Sequence, residues 1–218
     1  MLSFGTSAFL KLVCLNDRPQ RTAIRQRLLS SGGAYDYHRS LRLRAQRYLV
    51  RGESMTAIAA SIDEIARAPE RNSVRVGLER LEIWRTGYAG SILDYGSVTY
   101  ESPSRLFKVA FAPDFGIQSD DSGVAVHIWN TVQPRLLPEM TYGAISLFRP
   151  LYEETDNAPD DLAVLSLREP ELYRLSEAGG YADMGADLVA RIESTVREVS
   201  DELDLPPDGE EHAPEPRP

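Results

Sequence analysis

The chain has 218 residues, 42% of them hydrophobic, with 24 Lys or Arg against 33 Asp or Glu and a formal net charge of −9. That length suits one large domain, or a compact domain with a helical extension, and either buries a substantial core. The single cysteine, Cys14, excludes an intrachain disulfide, and no apolar run reaches the roughly 18 residues needed to span a bilayer. No basic cluster precedes the apolar opening and no small-residue cleavage site follows it, so a soluble cytoplasmic protein with no membrane partner is expected.

The charge is divided along the chain. Residues 1–90 hold 15 Arg or Lys against 8 Asp or Glu, a balance of +7, and the remainder holds 9 against 25, or −16. Such asymmetry predicts that the two halves face different partners, or each other. Lys11 is the sole lysine of the front half. Guanidinium groups favour bidentate contacts with phosphate or carboxylate, so nucleic acid or an acidic protein is the expected partner class.

Residues 3–15 read as a short apolar helix with Cys14 buried in it. Asn16 and Asp17 supply capping oxygens and Pro19 falls where a first turn tolerates it, so a second helix runs to about Ser30, ended by Gly32 and Gly33. Arg18, Arg21 and Arg25 share one of its faces, while Ile24 and Leu28 lie on another. The next segment puts Leu41, Ala45, Tyr48 and Leu49 on one stripe, with Arg39, Arg42, Arg44, Arg47 and Arg51 spread around the rest. Ser54 caps a fourth helix bearing Met55, Ile58, Ala59, Ile62 and Ile65, and Pro69 stops it. A fifth runs from Asn72 to about Arg85 with Val74, Leu78, Leu81 and Trp84 on its seam. Short connections between these five predict a bundle of antiparallel neighbours.

Near residue 95 the period changes. Val98 to Glu101 and Leu106 to Phe111 read as two strands joined by a tight turn at Ser102-Pro103-Ser104. After a turn at Asp120 to Gly123, the stretch Val124 to Asn130 is apolar on both faces, which suits a central strand covered on two sides. Met140, Ala144, Leu147 and Leu151 have helical spacing, although Tyr142 to Phe148 also fits a strand. Leu162 to Leu167 is a further strand with Glu171 to Leu175 as its partner. A helix from Ala182 to Leu203 closes the fold with Leu188, Ile192, Val196, Val199 and Leu203 on one stripe. Residues 206–218 are acidic, proline-rich and expected to be disordered.

The expected fold is therefore α+β. A basic helical region spans 1–90, an α+β region 91–205 carries a small mixed sheet flanked by helices, with helix 72–86 in its core, and a tail follows.

The order helix, three strands, helix, strand over residues 72–167, together with the pair Pro113-Asp114, resembles the core of the PD-(D/E)-X-K nuclease-like family. In that family an aspartate and a following D/E-X-K tripeptide converge on a magnesium ion, and the lysine orients or activates the attacking water. The resemblance implies that Asp114 is the first acid. Ile128 then stands at the second acid and Asn130 at the lysine, and neither supplies an anionic oxygen or a titratable ammonium group. Glu79, Glu82, Glu101 or Glu139 would have to provide a displaced ligand if cleavage survived.

No Gly-X-Ser-X-Gly elbow, phosphate-cradling loop or paired Cys-X-X-Cys is present. His127 and Trp129 share a face of the central strand, where the histidine reads as a hydrogen-bonded core residue, with a base or ligand role as the alternative. The functional expectation is a binding or assembly protein on a degenerate nuclease-like scaffold, without a cofactor. A magnesium-dependent nuclease centred on Asp114 and a purely structural interaction partner are the alternatives.

Overall fold

The computed structural model describes residues 1–30, 36–88, 90–119, 122–180 and 182–205. The predicted turn at Gly32-Gly33, the start of the turn at Asp120-Asp121 and the predicted disorder of 206–218 lie outside the described residues. The first departure from the sequence reading comes at once. Leu2–Gly5 form a strand, β1, and only Thr6–Val13 form a helix, α1. The strand wins because it pairs in parallel with Phe107–Ala110, which sets Phe4 edge-on to Phe107 with ring centroids 6.1 Å apart. Local helical spacing could not reveal a partner a hundred residues away.

Helices α2 (Asp17–Leu29), α3 (Arg39–Leu49) and α4 (Met55–Ala60) follow. Ser54 caps α4 by accepting from the Ala57 N–H at 3.3 Å. Helix α5 (Ala68–Gly87) begins before Asn72 and takes Pro69 into its first turn, where the missing N–H costs nothing. Strands β2 (Ile92–Leu93), β3 (Val98–Glu101), β4 (Phe107–Phe111), β5 (Phe115–Ser119) and β6 (Ser122–Trp129) come next. Of the two alternatives left open for 140–151, the helix is observed: α6 (Pro138–Ser146), then the short α7 (Arg149–Tyr152). Strands β7 (Asp161–Ser166) and β8 (Glu171–Arg174) and helix α8 (Ala182–Glu202) complete the chain.

Two sheets result. A three-stranded sheet has the order β1-β4-β3 and a five-stranded sheet the order β2-β5-β6-β7-β8. Strand β6 is central, antiparallel to β5 and parallel to β7, and its residues from Gly123 to Trp129 are buried. One face of the larger sheet, through Ala125, Trp129, Leu162 and Val164, shares a core with the smaller sheet and with α1, α6 and α8. The other face, through Val126, Ile128, Ala163 and Leu165, packs on Leu41, Ile58, Val74 and Leu81 of α3, α4 and α5.

The front helices therefore do not form the predicted antiparallel bundle. Helices α1 and α2 lie with the first core, and α3 to α5 cover the opposite face of the sheet. Each group buries its apolar stripe in a core shared with the sheet. On the first side α6 and α8 approach closely: a Cβ added at Gly185 would lie 2.8 Å from the Gly143 carbonyl oxygen. Buried Glu193 of α8 ties down the turn between β3 and β4 by accepting from the Ser104 N–H at 2.8 Å and the Ser104 hydroxyl at 2.9 Å.

Candidate functional site

Asp114 immediately precedes β5 rather than ending a strand of its own sheet, since the strand before it, β4, belongs to the smaller sheet. Its N–H donates to the Val126 carbonyl at 2.8 Å, and its Oδ2 accepts from the Ile128 N–H at 2.7 Å. This pairing places Asp114 opposite His127. Because side chains alternate along a strand, Ile128 points away, into the core under α3 to α5. The residue facing Asp114 is His127, not Ile128, which corrects the assignment made from the sequence. Asn130, read as the lysine position, donates to the Ser73 hydroxyl of α5 at 3.3 Å and serves helix packing instead.

His127 is 1% exposed and joins Asp114 to a residue that the sequence did not single out. Its Nδ1 lies 3.0 Å from Asp114 Oδ2, and its Nε2 lies 2.8 Å from Ser7 Oγ. The Nδ1 contact is close but not aligned as a hydrogen bond, and Nδ1 has no hydrogen-bond partner among the described residues. Ser7 sits in the first turn of α1, just after Gly5, which begins the helix without any side-chain cap. Thr6 fixes this junction: its hydroxyl donates to the Ala110 carbonyl at 3.0 Å and accepts from the Ala112 N–H at 3.4 Å. Strand β1 thus delivers Ser7 to the start of β5 through its pairing with β4.

Arg42 of α3 closes the cluster. Its Nη1 donates to Ser7 Oγ at 3.2 Å, its Nε is 3.4 Å from Asp114 Oδ1, and its Nη2 donates to Asp36. With Arg42 donating to Oγ, the Ser7 hydroxyl hydrogen is free to point at Nε2.

The cluster separates two cavities. A cleft of about 360 Å³ is lined by Asp114, His127, Arg39, Arg42 and Ala112, and a groove of about 840 Å³ by Ser7, Lys11, Leu12, Arg27 and Arg42. Gly5, Asp36 and Arg42 border both. Lys11 follows Ser7 by one helical turn and so shares its face. The groove is cationic through Lys11, Arg27 and Arg42 against Asp36, and Leu12, Leu15 and Phe4 give it an apolar wall. At its rim His38 lies 3.2 Å from the Thr131 hydroxyl. Burial pushes the His38 pKa down to about 4, with Arg42, Arg168 and Lys11 adding to the fall against the opposing pull of Asp36.

The surroundings of Asp114 do not suit a magnesium ion. Its Oδ2 already accepts from a backbone N–H and faces an imidazole, and its Oδ1 faces a guanidinium. Among the described residues no group of three or more His, Cys, Asp or Glu side chains is placed to share a cation, which needs several oxygen ligands.

The arginines singled out from the sequence do not form one surface. Arg21 pairs with Glu198 and Glu202 of α8, each at 2.6 Å, and Arg25 with Glu202 at 3.4 Å. Arg47 pairs with Glu53 at 2.6 Å. Arg44 is buried and donates to the Ser61 hydroxyl at 3.0 Å and to the Ser61 carbonyl. Arg18 and Arg39 have no ion-pair partner among the described residues, and of the seven only Arg39 and Arg42 line a cavity described above. Sequence reasoning missed Ser7, Lys11, Asp36 and His38. The sole signal for Ser7 was Gly5-Thr6-Ser7 interrupting an apolar opening, and that stretch read as continuous helix.

No protein-family model matches the chain, and no curated protein matches it. A solved structure described as the crystal structure of SSO0001 is similar over 82% of this chain and 84% of that one, at 15% identity and a TM-score of 0.34. No helix of the described residues is long and apolar enough to cross a membrane.

Proposed function

We propose that the chain is a binding protein on a nuclease-like scaffold without metal-dependent cleavage, and that it takes a small anionic, partly apolar ligand in the groove beside Ser7. The observation that carries this reading is the groove itself. Its size is that of a small-molecule site, and Lys11 has no ion-pair partner among the described residues. The scaffold reading is supported by the larger sheet, in which β2, β5, β6 and β7 are neighbours in that order with α5 before them and α6 between β6 and β7, while β3 and β4 leave for the smaller sheet, and by Asp114 immediately before a strand beside the central one.

Nucleic acid spread over the arginine helices is the less favoured partner. Arg21, Arg25 and Arg47 already face carboxylates of the same chain, and a phosphate backbone would have to displace them. The Arg21 and Arg25 pairs favour a second, structural role for α2, in which basic residues neutralise the acidic α8.

Octyl phosphate is a suitable probe because it joins an anionic head to an apolar chain. Calorimetric titration is expected to give one site per chain, lost in the double variant Lys11→Ala with Arg27→Ala. Single-stranded DNA at low salt is expected to bind no better than to an acidic control protein, with no cleavage in magnesium or manganese. Tight, salt-sensitive DNA binding without octyl phosphate binding would overturn the reading.

A further inference from the structure

We propose that Ser7 is a nucleophile, activated by His127 and Asp114, for acyl transfer from small esters that carry a negative charge. This rests on the groove being the ligand site and adds a reaction to it. Three features meet at one atom. Ser7 Oγ lies 2.8 Å from His127 Nε2, inside the range in which an imidazole removes a hydroxyl proton. The far nitrogen of that ring faces the Asp114 carboxylate at 3.0 Å, which favours the imidazolium that forms when the proton moves. Ser7 itself lines the groove, whereas His127 and Asp114 are buried and border the smaller cleft instead, so the hydroxyl is the member of the trio presented to a ligand in the groove.

The position of Ser7 supplies the remaining requirement. The first four N–H groups of an α-helix have no intrahelical acceptor, and no side chain caps α1. The Arg42 guanidinium donates to Oγ at 3.2 Å, and together with the positive end of α1 it supplies the potential in which an attacked carbonyl develops negative charge. Lys11, one turn along the same face, meets a negative group on the substrate, and Leu12 and Leu15 meet its carbon chain.

The step balances without a metal or redox partner. Oγ attacks the carbonyl carbon, its proton passes to Nε2, the bond to the alcohol oxygen breaks, and Nε2 returns the proton to the departing alkoxide. Water then attacks the acyl-Ser7 ester through the same nitrogen, releasing the carboxylic acid and restoring the hydroxyl.

The test uses a neutral alkyl fluorophosphonate, in which serine attack on phosphorus expels fluoride, followed by intact-mass measurement and peptide mapping. One adduct per chain on Ser7 is expected, absent in Ser7→Ala and at least about 100-fold slower in His127→Gln. Both variants are checked for native circular dichroism, and Asp114→Asn gives an independent slowing should His127→Gln fail to fold. Turnover of a p-nitrophenyl ester with a terminal carboxylate is compared with that of its neutral methyl ester. A preference for the charged ester that is lost in Lys11→Ala supports the substrate class, and an unchanged ratio overturns it. Absence of label on Ser7 in folded protein, or label that persists in Ser7→Ala, overturns the nucleophile. Either failure leaves octyl phosphate binding, and with it the binding reading, standing or falling on its own result.

Discussion

Helices α2 and α3 look alike in sequence, both arginine-rich with a narrow apolar stripe, yet they spend their charge in opposite ways. On α2, Arg21 and Arg25 reach across to Glu198 and Glu202 at a solvent-exposed seam. On α3, Arg44 is buried against the α4 region and Arg42 is turned toward Ser7, Asp36 and Asp114. The difference comes from what each helix packs on. Helix α2 lies beside the acidic α8, whereas α3 lies over the sheet beside the start of β5, where a buried carboxylate attracts a guanidinium. A run of arginines is therefore one observation with two physical outcomes, and only the second builds a polar centre at a cavity.

The comparison breaks most severely if Arg44→Ala is harmless. Removing it leaves the Ser61 carbonyl without its buried guanidinium donor, so a loss of about 2–3 kcal/mol is expected in urea unfolding. A similar cost, about 1–3 kcal/mol from overpacking, is expected for Gly185→Ala, because the added methyl meets the Gly143 carbonyl. Arg21→Ala sharpens the contrast from the other side. Its partners are exposed, so the melting temperature should barely move at physiological salt, and any change should vanish at 1 M salt.

The smallest effect concerns pH. His38 has a folded pKa of about 4, depressed by burial below its usual 6.5, so the unfolded chain binds a proton in that interval that the folded chain refuses. Its contribution to stability is complete above about 6.5 and is lost as pH falls toward 4. The difference in unfolding free energy between the wild type and His38→Gln should follow that window, and a difference independent of pH would count against the burial of His38.

Much of the fold was legible because periodicity is local. The two-sided apolar run at Val124 to Trp129 announced a central strand, and the stripe Leu188, Ile192, Val196, Val199 announced α8. What escaped was decided at long range. Strand β1 exists by pairing with residues 107–110, and β5, with Gly116 and Gln118 in its five residues, carries little strand signal of its own. The candidate site was half legible. Asp114 and Arg42 were singled out, but their convergence with Ser7 depends on β1, the element that spacing misread. His127 was read as a hydrogen-bonded core residue, and it is buried as expected, although its partner is a groove-lining hydroxyl rather than a core group.

The most direct test is a backbone amide NMR titration with octyl phosphate, followed residue by residue. Shifts confined to the groove residues Gly5, Ser7, Ala8, Lys11 and Arg27 and to the neighbouring Arg42, with the exposed seam of Arg18, Arg21 and Arg25 unmoved, are the expected result. Shifts along that α2 seam, or none near Ser7 at saturating ligand, would contradict the assignment of the site.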